Sequence, residues 1–280
     1  MNSYSIEKST FAERCTDLFL LILSVGMVLP LIMLVANAFK TPQEMLLWPP
    51  TFIPNEPTLT NFVKVLSKTP LLIWVWNSVC FAVLSTLSIV VTSAIAGYVL
   101  AKFKFFGFDF LFAIILATAI IPFEVYMIPL YFQAKSLGIL NSLWGLLLGY
   151  LVMSFGIFLI RQNVIQSIPD EFLEAARIDG AGEFWVFFHI VLPLLRGPLA
   201  ALAVLAFFQA WTSFAWPIVV TTSKEAYTIE VGLALFQTGF TIDLGLLSAA
   251  SSLVLIPSVT LFVFLRRNFV QGIANTGLKE

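Results

Sequence analysis

Charged side chains are scarce in this chain: Asp, Glu, Lys and Arg together account for 11% of its 280 residues. A soluble domain needs about a quarter of its residues to be charged in order to present a surface to water. Hydrophobic residues account for 59%, which predicts that the membrane is the protein's solvent. The net charge of -1 supplies no basic or acidic field, which argues against nucleic-acid binding and against electrostatic attachment to a lipid surface.

Residues suited to metal or nucleophilic chemistry are also few. The single histidine, His189, has no second histidine or cysteine pair near it in the sequence, so we predict no metal site and no catalytic nucleophile. Cys15 and Cys80 are too few for a disulfide framework, and we interpret both as small buried or interfacial residues. The phosphate-binding pattern Gly-x-x-x-x-Gly-Lys-Ser/Thr does not occur. We therefore predict a chain that is not an enzyme and holds no cofactor of its own.

Long apolar runs are what the sequence has in quantity. About 20 helical residues cross a hydrocarbon core at 1.5 Å per residue. Glu7, Glu13 and Asp17 stand where a cleaved signal would be basic, so we expect the first run to stay in the mature protein. The runs are too long and too uniformly apolar for the strands of a barrel. We predict an all-α polytopic membrane protein with six transmembrane helices, at about 18–39, 71–101, 110–132, 143–160, 198–220 and 246–265.

The domain boundaries and the orientation follow from these runs. We predict an amino-terminal part at 1–71, a membrane-spanning core at 72–266 with a long loop at 161–196, and a tail at 267–280. Positively charged residues accumulate on the cytoplasmic side of membrane proteins. Placing both termini in the cytoplasm puts these residues inside: Lys8, Arg14, Lys102, Lys104, Arg161, Arg177, Arg196, Arg266, Arg267 and Lys279. It leaves only five outside: Lys40, Lys64, Lys68, Lys135 and Lys224.

Two outer segments are long enough to have a role of their own. The segment 40–70 is rich in proline and contains Trp48 and Phe52, so we predict an extended interfacial loop. The second segment, 221–245, contains Tyr227, Glu230 and Asp243. Either segment contacts a soluble partner outside the membrane or only caps the helix bundle, and the sequence leaves both interpretations open. The serine- and threonine-rich stretch Ser85 to Ser93 is typical of a surface on which helices pack.

The inner loop at 161–196 is the most informative part of the chain. Ser167 is placed to cap a helix, Pro169 fits the first helical turn and Asp170 follows three residues after the cap. Gly180 is placed to end that helix. Four neighbouring positions of this helix form a surface with small residues, which would let another protein approach its backbone closely. These positions are Phe172, Ala175, Ala176 and Asp179.

The spacing within this loop resembles a known family signature: Glu-Ala-Ala, three residues, Gly, nine residues, Ile, one residue, Leu-Pro. The signature is kept at Glu174, Ala175, Ala176, Gly180, Ile190, Leu192 and Pro193. It is typical of the permease subunits of binding-protein-dependent ABC importers, and passages at 121–130, 211–217 and 267–273 resemble the carbohydrate-uptake, maltose-transporter-like branch. The resemblance implies a type I importer permease fold and a coupling helix that seats in an ATPase. The tail from Asn275 to Glu280 departs from the family's usual ending.

The same resemblance implies partners and a place in the cell. It predicts a second homologous permease, two ATPase subunits that bind ATP and Mg, and an extracytoplasmic solute-binding protein. It places the chain in a bacterial or archaeal plasma membrane, with a sugar or oligosaccharide as the substrate. Glycerol phosphate, or a glycerophosphodiester, is the alternative substrate. A more remote alternative is an ion-coupled secondary transporter, which would need paired intramembrane charges and usually an internal repeat.

Candidate residues of the substrate pathway lie in the third and fifth predicted spans. Glu124 is the one carboxylate inside a predicted span, between Pro122 and Pro129, and it either lines the pathway or reaches the outer surface. Polar and aromatic side chains that suit a sugar lie together in the fifth span: Gln209, Trp211, Thr212, Ser213 and Trp216. Trp216 is equally suited to anchoring the chain at the membrane interface. No Lys or Arg lies inside a span, which favours a neutral substrate.

Overall fold

The computed structural model describes residues 11–238 and 241–277 of the chain. The first half contains the helices α1 Phe11–Ala38, α2 Pro42–Met45, α3 Thr60–Lys68, α4 Leu71–Lys102, α5 Phe108–Thr118, α6 Phe123–Ser136 and α7 Leu143–Leu148. The second half contains α8 Ser154–Ser167, α9 Asp170–Ile178, α10 Glu183–Val186, a π-helical turn Phe187–Val191, α11 Leu192–Leu194, α12 Arg196–Trp211, α13 Ala215–Val220, a 3-10 turn Lys224–Ala226, α14 Ile229–Ala234 and α15 Leu244–Gly277. Two short strands, β1 Gln237–Thr238 and β2 Thr241–Ile242, pair antiparallel.

Helices dominate the described residues, so the all-α prediction is confirmed. The chain divides into two compact units. One contains Met1–Thr69 and Phe236–Leu255, and the other contains Pro70–Leu235 and Ile256–Glu280. The first boundary lies close to the predicted one at residue 71, but the first unit also includes a second, distant stretch of chain. The backbone of α15 continues through most of the predicted tail, and the last residues of that tail, 278–280, lie outside the described residues.

In the first unit, the loop after α1 folds around two buried charged side chains. Glu44 Oε1 accepts hydrogen bonds from Thr51 Oγ1 and from the amide of Asn55, both at 2.9 Å. The Asn55 amide is the main cause that lowers the pKa of Glu44. Lys40 Nζ donates to Asn37 Oδ1 at 2.8 Å and to the carbonyl of Thr51. The prediction of an extended loop is therefore wrong here, because these bonds fold the segment back on itself.

The second unit is built around α4, which packs against α8 and α12. Ser85 and Ser93 of α4 are fully buried, as expected for the predicted packing surface. A Cβ added at Gly156 of α8 would lie 2.5 Å from Ser93 Oγ. Small residues thus let the two backbones approach closely, which is how helices commonly associate in a membrane.

Several of the predicted spans are broken. Residues 16–38 of α1 and the whole of α4 are each long and apolar enough to cross a membrane, and two bent helix pairs bring the number to four by length and composition within the described residues. The runs predicted as single helices at 110–132, 143–160 and 198–220 are interrupted at 119–122, 149–153 and 212–214. The pair α5 and α6 bends by 100°. The sixth run forms the apolar part of α15, Leu244–Thr260.

Candidate functional site

The motif helix α9 begins later than its sequence suggested. Pro169 occupies the N-cap position, and α8 continues through Ser167, so the predicted cap by Ser167 is wrong. Asp170 and Glu171 lie in the first turn, where negative charge favours the helix dipole. Gly180 has a φ of 86°, a left-handed conformation that glycine adopts without strain. Its predicted place at the end of the helix is confirmed, and the Ala181 amide donates back to Ala176 at 2.9 Å.

α9 has one buried face and one exposed face. Leu173 is fully buried, and the half-buried Ala176 packs against the same apolar cluster. Glu174, Ala175 and Asp179 are exposed. Two large apolar side chains are exposed beside them, Phe172 at 57% and Ile178 at 85%. A short helix with exposed apolar side chains and a carboxylate presents a surface that suits a protein partner.

The rest of the signature lies close to this helix. Ala176, Asp179, Gly180 and Ile190 line one hollow of about 590 Å³. Ile190 belongs to the π-helical turn, whereas Leu192 and Pro193 form the short helix α11 that follows it. Pro193 lies in α11 directly after the π-helical turn. Four residues of the predicted coupling group are therefore brought together around one hollow.

Ionic and polar contacts hold both ends of α9 against the end of α4. Lys102 Nζ lies 2.5 Å from Asp170 Oδ1 and donates to the Ile168 carbonyl at the same distance. This lysine is the main cause that lowers the pKa of Asp170. At the other end, Arg177 donates to the two carboxylate oxygens of Glu183 at 2.7 and 3.3 Å, which lowers the pKa of that carboxyl. The Tyr98 hydroxyl of α4 donates to Glu183 Oε2 at 3.2 Å.

A second feature of this unit is a cavity of about 320 Å³ at the helix breaks. Its wall comes from residues on both sides of the breaks 119–122 and 149–153, together with Ile89 of α4, Tyr126 of α6 and Gln209 of α12. Polar side chains join the breaks. Thr118 Oγ1 lies 2.7 Å from Ser154 Oγ. A broken helix inside a membrane is tolerated where the freed polar groups are satisfied in this way or line a cavity.

Of the six predicted pathway residues, Gln209 lies in the wall of this cavity. Thr212 is exposed outside the wall, and its hydroxyl donates to the Phe208 carbonyl at 2.8 Å. Ser213 lies behind the wall, because its hydroxyl is 2.8 Å from the hydroxyl of Tyr150, which does line the cavity. Glu124 is exposed in the first turn of α6 and outside the wall. The helix break next to it ends at Pro122, the N-cap of α6, whereas Pro129 lies inside that helix.

The two predicted tryptophans are buried within the chain. Trp211 stacks on Phe207 with ring centres 5.8 Å apart. Trp216 is fully buried, and its indole N–H donates to the carbonyls of Gly145 at 3.1 Å and Leu146 at 3.0 Å. Trp216 therefore has no exposed surface with which to anchor this chain at the membrane interface. Its ring instead packs against Phe123 at the edge of the cavity, with ring centres 5.9 Å apart.

Sequence reasoning missed four polar residues of the wall: Thr118, Tyr126, Tyr150 and Ser154. Tyr150 follows Gly149, and Ser154 lies four residues further on, within the run 143–160 that is predicted as one span. A tyrosine and a serine close to a glycine are the signal that could have located the break. The contact between Ser154 and Thr118 joins two different apolar runs, and the sequence of neither run predicts it.

Known proteins resemble this chain over most of its length. Residues 89–275 match the family described as "Binding-protein-dependent transport system inner membrane component". The arabinooligosaccharides transport system permease protein AraQ of Halalkalibacterium halodurans is 34% identical over 90% of this chain and 91% of its own length. The sn-glycerol-3-phosphate transport system permease protein UgpE of Yersinia pestis is 31% identical over 94% and 98%.

A solved structure shares the fold. It is a chain of a bacterial ABC transporter involved in the import of the acidic polysaccharide alginate, with a TM-score of 0.78 and 20% identity over 94% of this chain and 99% of that one. The expected ABC importer permease fold is confirmed. The signature begins on the exposed face of α9, and a family match covers more than half of the residues, so the chain belongs to the inner membrane components of binding-protein-dependent transport systems.

Proposed function

We propose that this chain is the permease subunit of an ATP-driven importer of a sugar or oligosaccharide. The observation that carries the proposal is the intact signature, which begins on α9, where Glu174, Ala175 and the neighbouring Asp179 are exposed to a partner. Relatives named for arabinooligosaccharide transport support a carbohydrate as the substrate. The chain itself supplies transport and no catalysis. Two separate ATPase subunits bind ATP and Mg and perform hydrolysis.

The coupling role belongs to the surface of α9 and the hollow beside it. Phe172 and Ile178 supply apolar contact area to the ATPase, and Glu174 supplies a charged anchor. Gly180 allows the turn that leads into α10. Ile190, Leu192 and Pro193 form the connection to α12. This assignment places α9 and both termini in the cytoplasm of a bacterial or archaeal cell, in agreement with the distribution of lysine and arginine.

The substrate pathway belongs to the cavity at the helix breaks, shared with a second, homologous permease. Gln209 and the tyrosines 126 and 150 present hydrogen-bonding groups and aromatic rings, which suit the hydroxyl edges and apolar faces of a sugar. Ser213 and Trp216 hold this wall in place, and Trp211 packs behind it. Glu124, exposed beside the cavity, reaches the substrate or the second permease. An extracytoplasmic solute-binding protein delivers the substrate.

Glycerol phosphate is the second candidate substrate, because one relative is a glycerol-3-phosphate permease. A phosphate in a low-dielectric site needs a cation or several helix N-termini. The described residues that line the cavity include no lysine or arginine. A sugar therefore fits this wall better, and a phosphate would require a cation from the second permease.

The test uses the whole complex with its binding protein, reconstituted in vesicles. We expect uptake of a neutral saccharide that requires ATP, stops when the ATPase is catalytically inactive and persists when ion gradients are collapsed. A photocrosslinker at Phe172 should capture the ATPase, whereas the matched control at the exposed Trp144 of α7 should not. Uptake driven by an ion gradient without ATP, or no capture at Phe172, would overturn the proposal.

A further inference from the structure

We propose that α4 carries the movement of the coupling helix to the substrate cavity, with Tyr98 and Lys102 as positioning residues at one end and Ser88 at the other. The inference deepens the proposed function and rests on it. The connection most evident from the sequence is a different one, from the signature through Leu192 and Pro193 into α12. The contacts of the described residues provide a second route through α4, which packs along α8, the helix that joins the cavity wall to α9.

At the coupling end, α4 is attached to both ends of α9. Lys102 binds Asp170, the first residue of α9, and also the carbonyl of Ile168 just before it. One helical turn earlier, Tyr98 binds Glu183, which in turn holds Arg177 near the end of α9. Two attachments at opposite ends of a nine-residue helix leave it little freedom to tilt against α4. A displacement of α9 by the ATPase must therefore displace this end of α4.

Apolar packing reinforces the two attachments. Leu173 of α9 is buried in a cluster that also contains Tyr98, Ile160 and Ile168. The Tyr98 ring contacts that of Phe187, with centres 5.5 Å apart. Packed groups of this kind move as units between discrete arrangements and do not deform continuously.

At the cavity end, α4 is attached to a helix break. Ser88 Oγ donates to the carbonyl of Leu151 at 2.8 Å, and Thr92 Oγ1 lies 3.5 Å from the same oxygen. Leu151 lies in the break between α7 and α8, whose neighbouring residues form the cavity wall. Ile89, beside Ser88, is itself part of that wall. A shift of α4 along its axis therefore acts directly on the backbone that encloses the substrate.

Between these ends α4 is continuous. It runs as one helix from Leu71 to Lys102 without an internal proline. Ser88 and Tyr98 are ten residues apart, which is about 15 Å along a helix axis. The alternative route from α10 into α12 passes through a π-helical turn and a bend of 76°. A continuous helix transmits an axial push better than a path with a π-helical turn and a bend of 76°.

The test measures substrate transported per ATP hydrolysed by the reconstituted complex. We compare Tyr98→Phe, which removes only the hydroxyl, with Ser88→Ala and with the double variant. We expect each single variant to lower the ratio by about two- to tenfold while stimulated hydrolysis continues. The double variant should be no worse than the poorer single variant, because both residues act on one path. Asp170→Asn tests the other attachment, the ion pair between Lys102 and Asp170, by a change at an exposed side chain.

The matched control is Thr86→Val, which removes a hydrogen bond from Thr86 to the Ala82 carbonyl within α4 itself. We expect it to leave the ratio unchanged. Normal ratios in Tyr98→Phe, Ser88→Ala and Asp170→Asn would overturn the role of α4 and leave the proposed function standing. Effects that multiply in the double variant, or an equal loss in Thr86→Val, would also overturn it. Uptake without any need for ATP in the unsubstituted complex would instead overturn the proposed function, and the role of α4 with it.

Discussion

Gly97 of α4 lies directly against Ile160 of α8. A Cβ added at position 97 would stand 2.8 Å from Ile160 Cγ2 and 2.9 Å from the backbone nitrogen of Arg161. Real Cβ atoms do not approach this closely, so the spacing between these two helices depends on the missing side chain. Because α4 also packs against α12, an error at this contact would spread through the second unit.

Gly97→Ala should therefore destabilise the protein. Overpacking between helices costs about 1–3 kcal/mol, which exceeds the benefit of alanine in a helix. The measurement is the thermal unfolding midpoint of the detergent-solubilised chain. The matched control is Gly26→Ala in α1, where a new Cβ meets nothing within 4 Å and should be neutral or stabilising. Equal midpoints for the two variants would contradict the close approach of α4 and α8.

Trp216→Phe should weaken the cavity wall. The substitution keeps most of the buried ring but leaves the carbonyls of Gly145 and Leu146 without the indole donor. Losing a buried hydrogen bond partner costs about 1–3 kcal/mol, and we expect a lower unfolding midpoint together with reduced uptake. Trp144→Phe is the matched control, because Trp144 is 70% exposed. Retention of normal stability in Trp216→Phe would contradict a supporting role for the indole.

Gly180→Ala should reduce uptake more than Gly182→Ala. A Cβ added at either glycine would meet no atom within 4 Å, so the two substitutions do not differ in steric crowding. Only Gly180 has a left-handed φ, of 86°, whereas Gly182 has a φ of -74°. The left-handed conformation costs a residue with a Cβ about 1–2 kcal/mol, and Gly180→Val should be worse than Gly180→Asn, since Asn tolerates this region. Membrane insertion, followed by immunoblot, should be normal in all four. If Gly180→Val transports as well as Gly182→Ala, the left-handed conformation at position 180 is not required for uptake.

The attachment of α9 should be insensitive to pH in the physiological range. Lys102 lowers the pKa of Asp170, and Arg177 lowers that of Glu183. A carboxyl with a lowered pKa stabilises the folded state at every pH above its ordinary value, about 4, and this contribution is lost only as the pH falls through the lowered value. We expect transport per ATP to stay constant between about pH 5.5 and 8. A decline on acidification from pH 7 to 5.5, absent in Asp170→Asn, would contradict it.

Much of this architecture is readable from the sequence because its signals are local. The spacing from Glu174 to Pro193 identifies the family, and Gly180 marks the end of α9. The predicted start of α9 is wrong because a serine shortly before a proline is typical of a helix cap. In the structure the preceding helix, α8, simply continues to Ser167, and Pro169 begins the next one.

The helix breaks and the attachments between helices were beyond local signals. Hydropathy reports only how apolar a stretch is. The run stays apolar across the break at 149–153, so hydropathy cannot reveal that break. The bonds from Ser88 to Leu151 and from Tyr98 to Glu183 join residues separated by 63 and 85 positions. Such pairings depend on how helices pack, and neither periodicity nor propensity contains that information.

Under the proposed function, the size of the cavity limits what this chain can recognise by itself. Its volume of about 320 Å³ is near the lower end of ligand sites, about 300–1,000 Å³. Only one end of a saccharide with several rings would fit in the cavity, and its other rings would extend beyond it. Discrimination between short and long oligosaccharides would then depend on the surface that the second permease contributes. Exchanging the companion permease should change the accepted length even when every residue of this chain is kept.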